Sequence, residues 1–207
     1  MELFRHFIES LKSDIAVYSL VVAIALAFIG YLATYFNARL LAIKKDRLEL
    51  VNKRLNEFYG PLYVATKAGS TAYAALLKKL SRQSVFEEVK ELSEADWREW
   101  QVWMKDVFTP LNDIREKIII EKAYLIREEV MPACLLDFVT HVASYKAVLS
   151  KWEKGDFSER YSMLDFPREL TTYATNSYQE LKHEQATLLG RREPKRASAG
   201  PTCHPPG

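Results

Sequence analysis

Residues Ile15 to Ala38 read IAVYSLVVAIALAFIGYLATYFNA, a run of 24 residues without a charged side chain. Asp14 precedes the run and Arg39 follows it. At a rise of about 1.5 Å per residue, a helix of this length crosses the roughly 30 Å hydrocarbon core of a bilayer. The run therefore predicts a transmembrane helix over residues 15–38, and this helix decides the architecture of the chain.

A buried core helix and a cleaved signal peptide are the two alternatives to a membrane span. An uncharged run beyond about 18 residues is unusual for a helix of a soluble protein. The apolar core of a signal peptide spans only about 7–15 residues and follows a basic segment. Here the first 14 residues carry two basic and three acidic side chains. Tyr18 near one end of the run and Tyr35 near the other fit the aromatic belts of a membrane span. We therefore expect an uncleaved anchor.

The charges that flank the run predict its orientation. The segment before the run contains two Lys or Arg residues, and the segment 39–54 contains six. Because basic residues accumulate on the cytoplasmic side, residues 1–14 are expected outside a bacterial inner membrane and the C-terminal part in the cytoplasm. We call four of the basic residues the basic collar: Arg39, Lys44, Lys45 and Arg47. The collar either contacts anionic lipid headgroups or only marks the topology.

Composition excludes some classes of partner. The chain has a net charge of +2, and its positive charge is concentrated in the collar segment and in a basic tail over 191–207, which leaves the body acidic. An acidic body argues against nucleic-acid binding. Cys134 and Cys203 lie far apart in the sequence, which implies no disulfide framework and agrees with a reducing cytoplasm. The tail is poor in apolar residues and is expected to be disordered.

The body over residues 61–190 is predicted to be one all-α domain, joined to the span by a juxtamembrane helix over 39–60. Four prolines each begin a stretch with helical periodicity, and no segment alternates like a strand. Ser93 and Asp96 are arranged like a helix N-cap, and Gly190 is expected as a C-cap. The predicted helices cover about 61–80, 93–108, 110–129, 132–152 and 167–189, with a loop over 153–166.

The juxtamembrane helix is expected to end at an elbow, Tyr59-Gly60-Pro61. Glycine tolerates unusual φ angles, and the residue before a proline avoids the α conformation. In front of this elbow, apolar residues follow a short heptad pattern at Leu41, Leu48 and Leu55. The heptad face either forms a coiled coil or packs on the helices of the domain itself.

Small residues form a stripe along the predicted span. Their spacings of 3 and 4 place them on a single face of the helix, which we call the small-residue face: Ala16, Ser19, Ala23, Ala27, Gly30, Thr34 and Ala38. Small residues allow the backbones of membrane helices to approach closely. Alanine is also common in apolar helices, so a chance alignment is the alternative. Together with the heptad pattern, the stripe predicts a homo-oligomer.

No motif for catalysis is present, and we expect no enzyme activity, cofactor or metal. The chain lacks a phosphate-binding loop, HExxH, GxSxG and a cysteine cluster. Glu180 and His183 have the ExxH spacing of di-iron bundles, but there is no second ExxH, so a solvated helix face explains them. His141 and Asp137 lie one helical turn apart and are interpreted as a hydrogen-bonded structural pair.

Several blocks of the chain resemble recurring segments in uncharacterised bacterial membrane-anchored helical proteins. The blocks are LNEFYGPLY over 55–63, VFTPLN over 107–112, MPACLLD over 131–137 and DFP over 165–167. This resemblance covers roughly residues 41 to 190 and carries no known catalytic residue. The layout is also similar to that of small membrane effectors that accompany CRISPR RNA nucleases and oligomerise around a pore.

Two classes of function are therefore predicted. The first is a membrane-tethered helical module that self-associates and binds a cytoplasmic protein partner. The second is an oligomeric pore or membrane-perturbing effector, of the kind that acts in bacterial defence. A span without a charged residue offers no obvious ion path, which favours the first class.

Overall fold

The structure, a computed structural model, describes residues 1–86 and 92–191, with the backbone alone over 2–16. All regular structure in these residues is helical, which confirms the predicted all-α class. The predicted tail, apart from Arg191, lies outside the described residues, as do Cys203 and the side chain of Ala16.

The first helix, α1, spans Glu2–Arg54. It contains the only window among the described residues that is long and apolar enough to cross a membrane, and none of that window is buried. The chain divides into two compact units, Met1–Arg47 and a second unit that begins at Leu48. The segment predicted as a juxtamembrane helix over 39–60 is thus shared between the two units.

The prediction that the helix ends in an elbow at Tyr59-Gly60-Pro61 is wrong, because the chain stays helical there. Tyr59 has φ −70° and ψ −34°, and Gly60 has φ −66° and ψ −56°. Leu55–Tyr59 forms a π-helical turn, in which the Gly60 N–H donates to the Leu55 carbonyl. Helix α2 follows directly over Gly60–Leu80. Pro61 lacks an N–H and its ring clashes with a carbonyl in a regular α-helix, and a wider turn in front of it relieves the clash without ending the helix.

The same arrangement occurs a second time. Helix α3, Glu94–Trp103, is followed by a π turn over Met104–Phe108 and then by α4, Thr109–Glu121. Pro110 has the same position relative to its π turn as Pro61 has to the first. Each of the two long helical stretches of the domain is therefore built as α-helix, π turn, proline and α-helix.

Helices α2, α4, α5 (Ala133–Glu153) and α6 (Glu169–Leu188) pack around two clusters of buried side chains. The first cluster contains the end of α1, the first π turn and residues of α5 and α6, among them Val51, Phe58 and Leu181. The second is rich in aromatic rings and includes Trp97 and Trp100 of α3. Leu55, the last residue of the heptad pattern, is buried together with Val51 and Phe58, so this end of the heptad face packs on the domain itself.

The ends of several helices follow the predicted local signals. Ser93 caps α3, because its side chain accepts from the Asp96 N–H at 3.1 Å. Gly190 follows α6 with φ +68°, a conformation that favours glycine. The predicted helix over 110–129 is too long, since α4 ends at Glu121 and a 3₁₀ turn, Ala123–Leu125, follows.

Candidate functional site

The small-residue face lies on the exposed part of α1. Its members from Ser19 to Ala38 are all exposed to the surroundings of the chain. A Cβ atom built on Gly30 would meet no atom within 4 Å. The Thr34 hydroxyl donates to the Gly30 carbonyl at 2.9 Å, so it is satisfied within its own helix. The small-residue face is therefore exposed, and its contact with a second helix can be tested.

The basic collar also lies on α1, and Arg39, Lys44, Lys45 and Arg47 are all exposed. The basic residues that follow them are placed differently. Lys53 lies over the ring of Tyr124, with its Nζ 5.3 Å from the ring centroid. The collar thus offers positive charge at the surface of α1.

Tyr59 of the predicted elbow anchors the first π turn in the core. Tyr59 is fully buried. Its hydroxyl accepts from the backbone N–H of Arg127 at 3.0 Å and lies 3.3 Å from the Tyr173 hydroxyl. Tyr173 donates to Glu128 at 3.1 Å. Burial raises the pKa of Tyr59. This network joins the π turn to the segment after α4 and to α6, so its role is structural.

The first of the two histidine hypotheses needs a correction. His141 is buried as predicted, but Asp137 is exposed, and the partner of the ring is a backbone carbonyl. His141 Nδ1 donates to the Leu164 oxygen at 2.7 Å, which holds the loop before α6 against α5. Burial lowers the pKa of His141, and the hydrogen bond to Leu164 opposes this shift.

The ExxH pair lies on the surface of α6. His183 is exposed, and Glu180 forms an ion pair with Arg127 at 3.0 Å. Among the residues whose structure is described, no three His, Cys, Asp or Glu side chains are grouped so that they could hold a metal ion. Glu180 and His183 therefore lie on a solvent-facing side of α6.

A buried cation on α4 was not predicted from the sequence. The helical periodicity places Ile114 and Ile118 on the core face of this helix, whereas Ile114 is 50% exposed and the buried residues are Asn112, Arg115 and Ile119. Their spacing of 3 and 4 is visible in the sequence. The polar residues Asn112 and Arg115 at this spacing are the sequence signal for the buried cation. The signal is weak, because Ile114 and Ile118 make the neighbouring face more apolar.

Arg115 is enclosed by apolar groups. Only 3% of this residue is exposed. The guanidinium carbon lies 5.2 Å from the ring centroid of Phe138 and 5.7 Å from that of Phe166. Nε donates to the Leu111 carbonyl at 3.1 Å, within the same helix. Burial lowers the pKa of Arg115 to about 10, so the side chain still carries its charge at neutral pH.

Comparison with known proteins adds nothing to this geometry. No protein-family model, curated protein or solved structure matches the chain. The resemblance to bacterial membrane-anchored helical proteins therefore stays a prediction.

Proposed function

We propose that the chain is a membrane-tethered helical module. One transmembrane helix over 15–38 holds it in the bacterial inner membrane, with residues 1–14 outside and the domain in the cytoplasm. The domain serves as a non-enzymatic scaffold that self-associates and binds a cytoplasmic protein, and no residue is assigned to that contact.

The observation that carries this proposal is the exposure of the apolar part of α1. Large side chains such as Leu20, Leu26 and Phe28 are 61%, 64% and 60% exposed. Removing one such side chain from water is worth about 1.5–3 kcal/mol. Because no part of this window is covered by the chain itself, a helix of this kind is stable only in a surrounding apolar phase. A bilayer supplies that phase over the required length.

The orientation can be tested with reporters fused after Leu189. A fluorescent protein that folds in the cytoplasm should be bright there, and a phosphatase that needs the periplasm should be inactive. A matched variant replaces the four collar residues with glutamine, which leaves two basic residues on each side of the span. This variant should insert in both orientations, because the charge difference is gone. An active phosphatase on the unmodified chain would contradict the proposed topology.

Self-association can be tested on the small-residue face. Leucine at Ala23, Ala27 and Gly30 would hold facing helices apart. The open space around Gly30 means that a side chain there disturbs nothing within the chain. The expected result is a loss of crosslinked oligomer and of oligomer mass in mild detergent.

The matched control for that experiment changes residues on other faces of the same helix. Exchanging Leu26, Phe28 and Ile29 for other large apolar residues should leave the oligomer intact. A monomeric wild-type chain, or equal effects of the two sets, would show that the small-residue face is not an interface. The pore alternative has no charged residue in the span to support it, and leakage of dye from vesicles that contain the protein would favour it.

A further inference from the structure

Arg115 is a buried positive charge without a counter-charge. No carboxylate among the described residues forms an ion pair with it, and burial is the only influence that shifts its pKa. An uncompensated buried ion costs several kcal/mol even after the surroundings relax. Contacts of the cation with the rings of Phe138 and Phe166 offset part of this cost, but aromatic rings supply no anion.

The hydrogen-bonding capacity of Arg115 is also largely unused. A guanidinium has five N–H donors, and only the one on Nε has an acceptor among the described residues, the Leu111 carbonyl. The four donors on the two Nη atoms remain. Neither Nη atom belongs to the fully buried polar atoms without a partner. The small exposed fraction of the residue therefore includes the Nη edge, where two parallel N–H groups suit an oxyanion.

The neighbouring helix leaves room for this guanidinium. A Cβ atom built on Gly69 of α2 would lie 2.6 Å from Nη2 of Arg115, so any larger residue would displace the cation. One helical turn before Gly69, Thr66 is 2% exposed and its hydroxyl has no hydrogen-bond partner among the described residues. One turn before Arg115, Asn112 is 7% exposed. Polar groups are thus concentrated where α2 and α4 pack.

We propose that Arg115 is the anchor of an anion-binding site between α2 and α4, and that the site accepts a phosphate group. The two parallel N–H groups of the Nη edge match two oxygen atoms of a phosphate group, and arginine is the residue that such bidentate recognition of phosphate favours. The Nη edge of Arg115 makes the charged contact, and Thr66 and Asn112 are further buried polar residues of α2 and α4, one turn before Gly69 and Arg115. The group is either free inorganic phosphate or the terminal phosphate of a small monoester.

Thermal unfolding of the full chain in neutral detergent tests the proposal. Phosphate should raise Tm by about 5–10 °C at a hundred times its Kd, relative to chloride at equal ionic strength. Arg115→Met removes the charge at similar volume and should abolish the specific part of this rise. The Tm of the Arg115→Met chain should still show the general stabilisation that phosphate gives to proteins by being excluded from their surface. Arg127→Met is the matched control, since it removes an exposed arginine, and it should respond like the wild type.

Equilibrium dialysis with labelled inorganic phosphate gives a second measurement, independent of thermal stability. One phosphate per chain should bind to the wild type. Gly69→Ala, which displaces Nη2, should bind at least tenfold more weakly. Competition by glycerol phosphate would show that a monoester enters the site, and its failure would assign the site to free phosphate. The proposal is overturned if the wild type binds no phosphate, or if Arg115→Met keeps the full Tm rise.

Discussion

Replacing Gly60 with alanine should destabilise the domain, although helix propensity predicts the opposite. Gly60 lies in a right-handed helical conformation, where alanine is favoured over glycine by about 1 kcal/mol. The added Cβ, however, would lie 2.4 Å from the Leu55 carbonyl oxygen. This oxygen belongs to the backbone of the π turn, so it cannot move away as the end of a flexible side chain can.

The size of the effect follows from what surrounds the turn. Leu55, Phe58 and Tyr59 are buried on the first π turn, so the backbone that must shift carries three core side chains. Overpacking in a core costs about 1–3 kcal/mol, and the upper end applies because the clash involves the main chain. The gain of about 1 kcal/mol in helix propensity offsets part of this cost. The free energy of unfolding should therefore fall by about 2 kcal/mol, which corresponds to a decrease of about 4–8 °C in Tm.

Thermal unfolding of the full chain in detergent, followed by circular dichroism, measures this change. Thr71→Ala is the control, because Thr71 is exposed on the same helix and the substitution should be neutral or slightly stabilising. If Gly60→Ala melts at or above the wild-type temperature, the close approach to Leu55 does not govern this turn, and the reasoning fails.

Three further results are expected from melting curves. His141→Ala deprives the Leu164 carbonyl of its donor and should cost about 1–3 kcal/mol, whereas His183→Ala should melt like the wild type. Burial lowers the pKa of His141 below its usual 6.5, so this side chain takes up a proton at a higher pH in the unfolded chain than in the folded chain. Stability should therefore be lost as the pH falls below about 6.5. An equally steep loss in His141→Ala would contradict this assignment. Tyr59→Phe leaves a backbone N–H without its acceptor and should cost about 1–3 kcal/mol, more than Tyr173→Phe, and a reversed order would contradict the tyrosine network.

Signals within one or two turns of the chain predicted most of the helices. The Ser93 cap, the glycine after α6 and the prolines at the starts of α2 and α4 act through neighbouring backbone groups. The π turns were missed, because a proline predicts a disturbance of the helix but does not say whether the helix ends or widens. Which of these occurs depends on the fit of Phe58 and Tyr59 into a core formed by distant segments.

The candidate sites likewise divide into those that depend on neighbouring residues and those that depend on distant segments. The small-residue face and the collar are patterns along one helix that can be predicted from the sequence alone, and their roles stay predictions. The environment of Arg115 depends on Phe138 and Phe166, which a helix and a loop bring from elsewhere in the chain. The partner of His141 was misassigned for the same reason, since Leu164 lies 23 residues away. Contacts of this kind have no local signature.

The paired π turns also restrict how the length of this chain can change. Each turn holds one residue more than an α-helical turn, so the loss of one residue there restores a regular α-helix and leaves the downstream side chains on their present faces. A deletion elsewhere in these helices instead rotates everything downstream by about 100° about the helix axis, and within α2 it would turn the residues that face α4 away from that helix. Pro61 and Pro110 keep each additional residue from migrating along its helix. Natural variants that lose a residue in either turn should therefore also lose the following proline, while the residues that face the core stay the same.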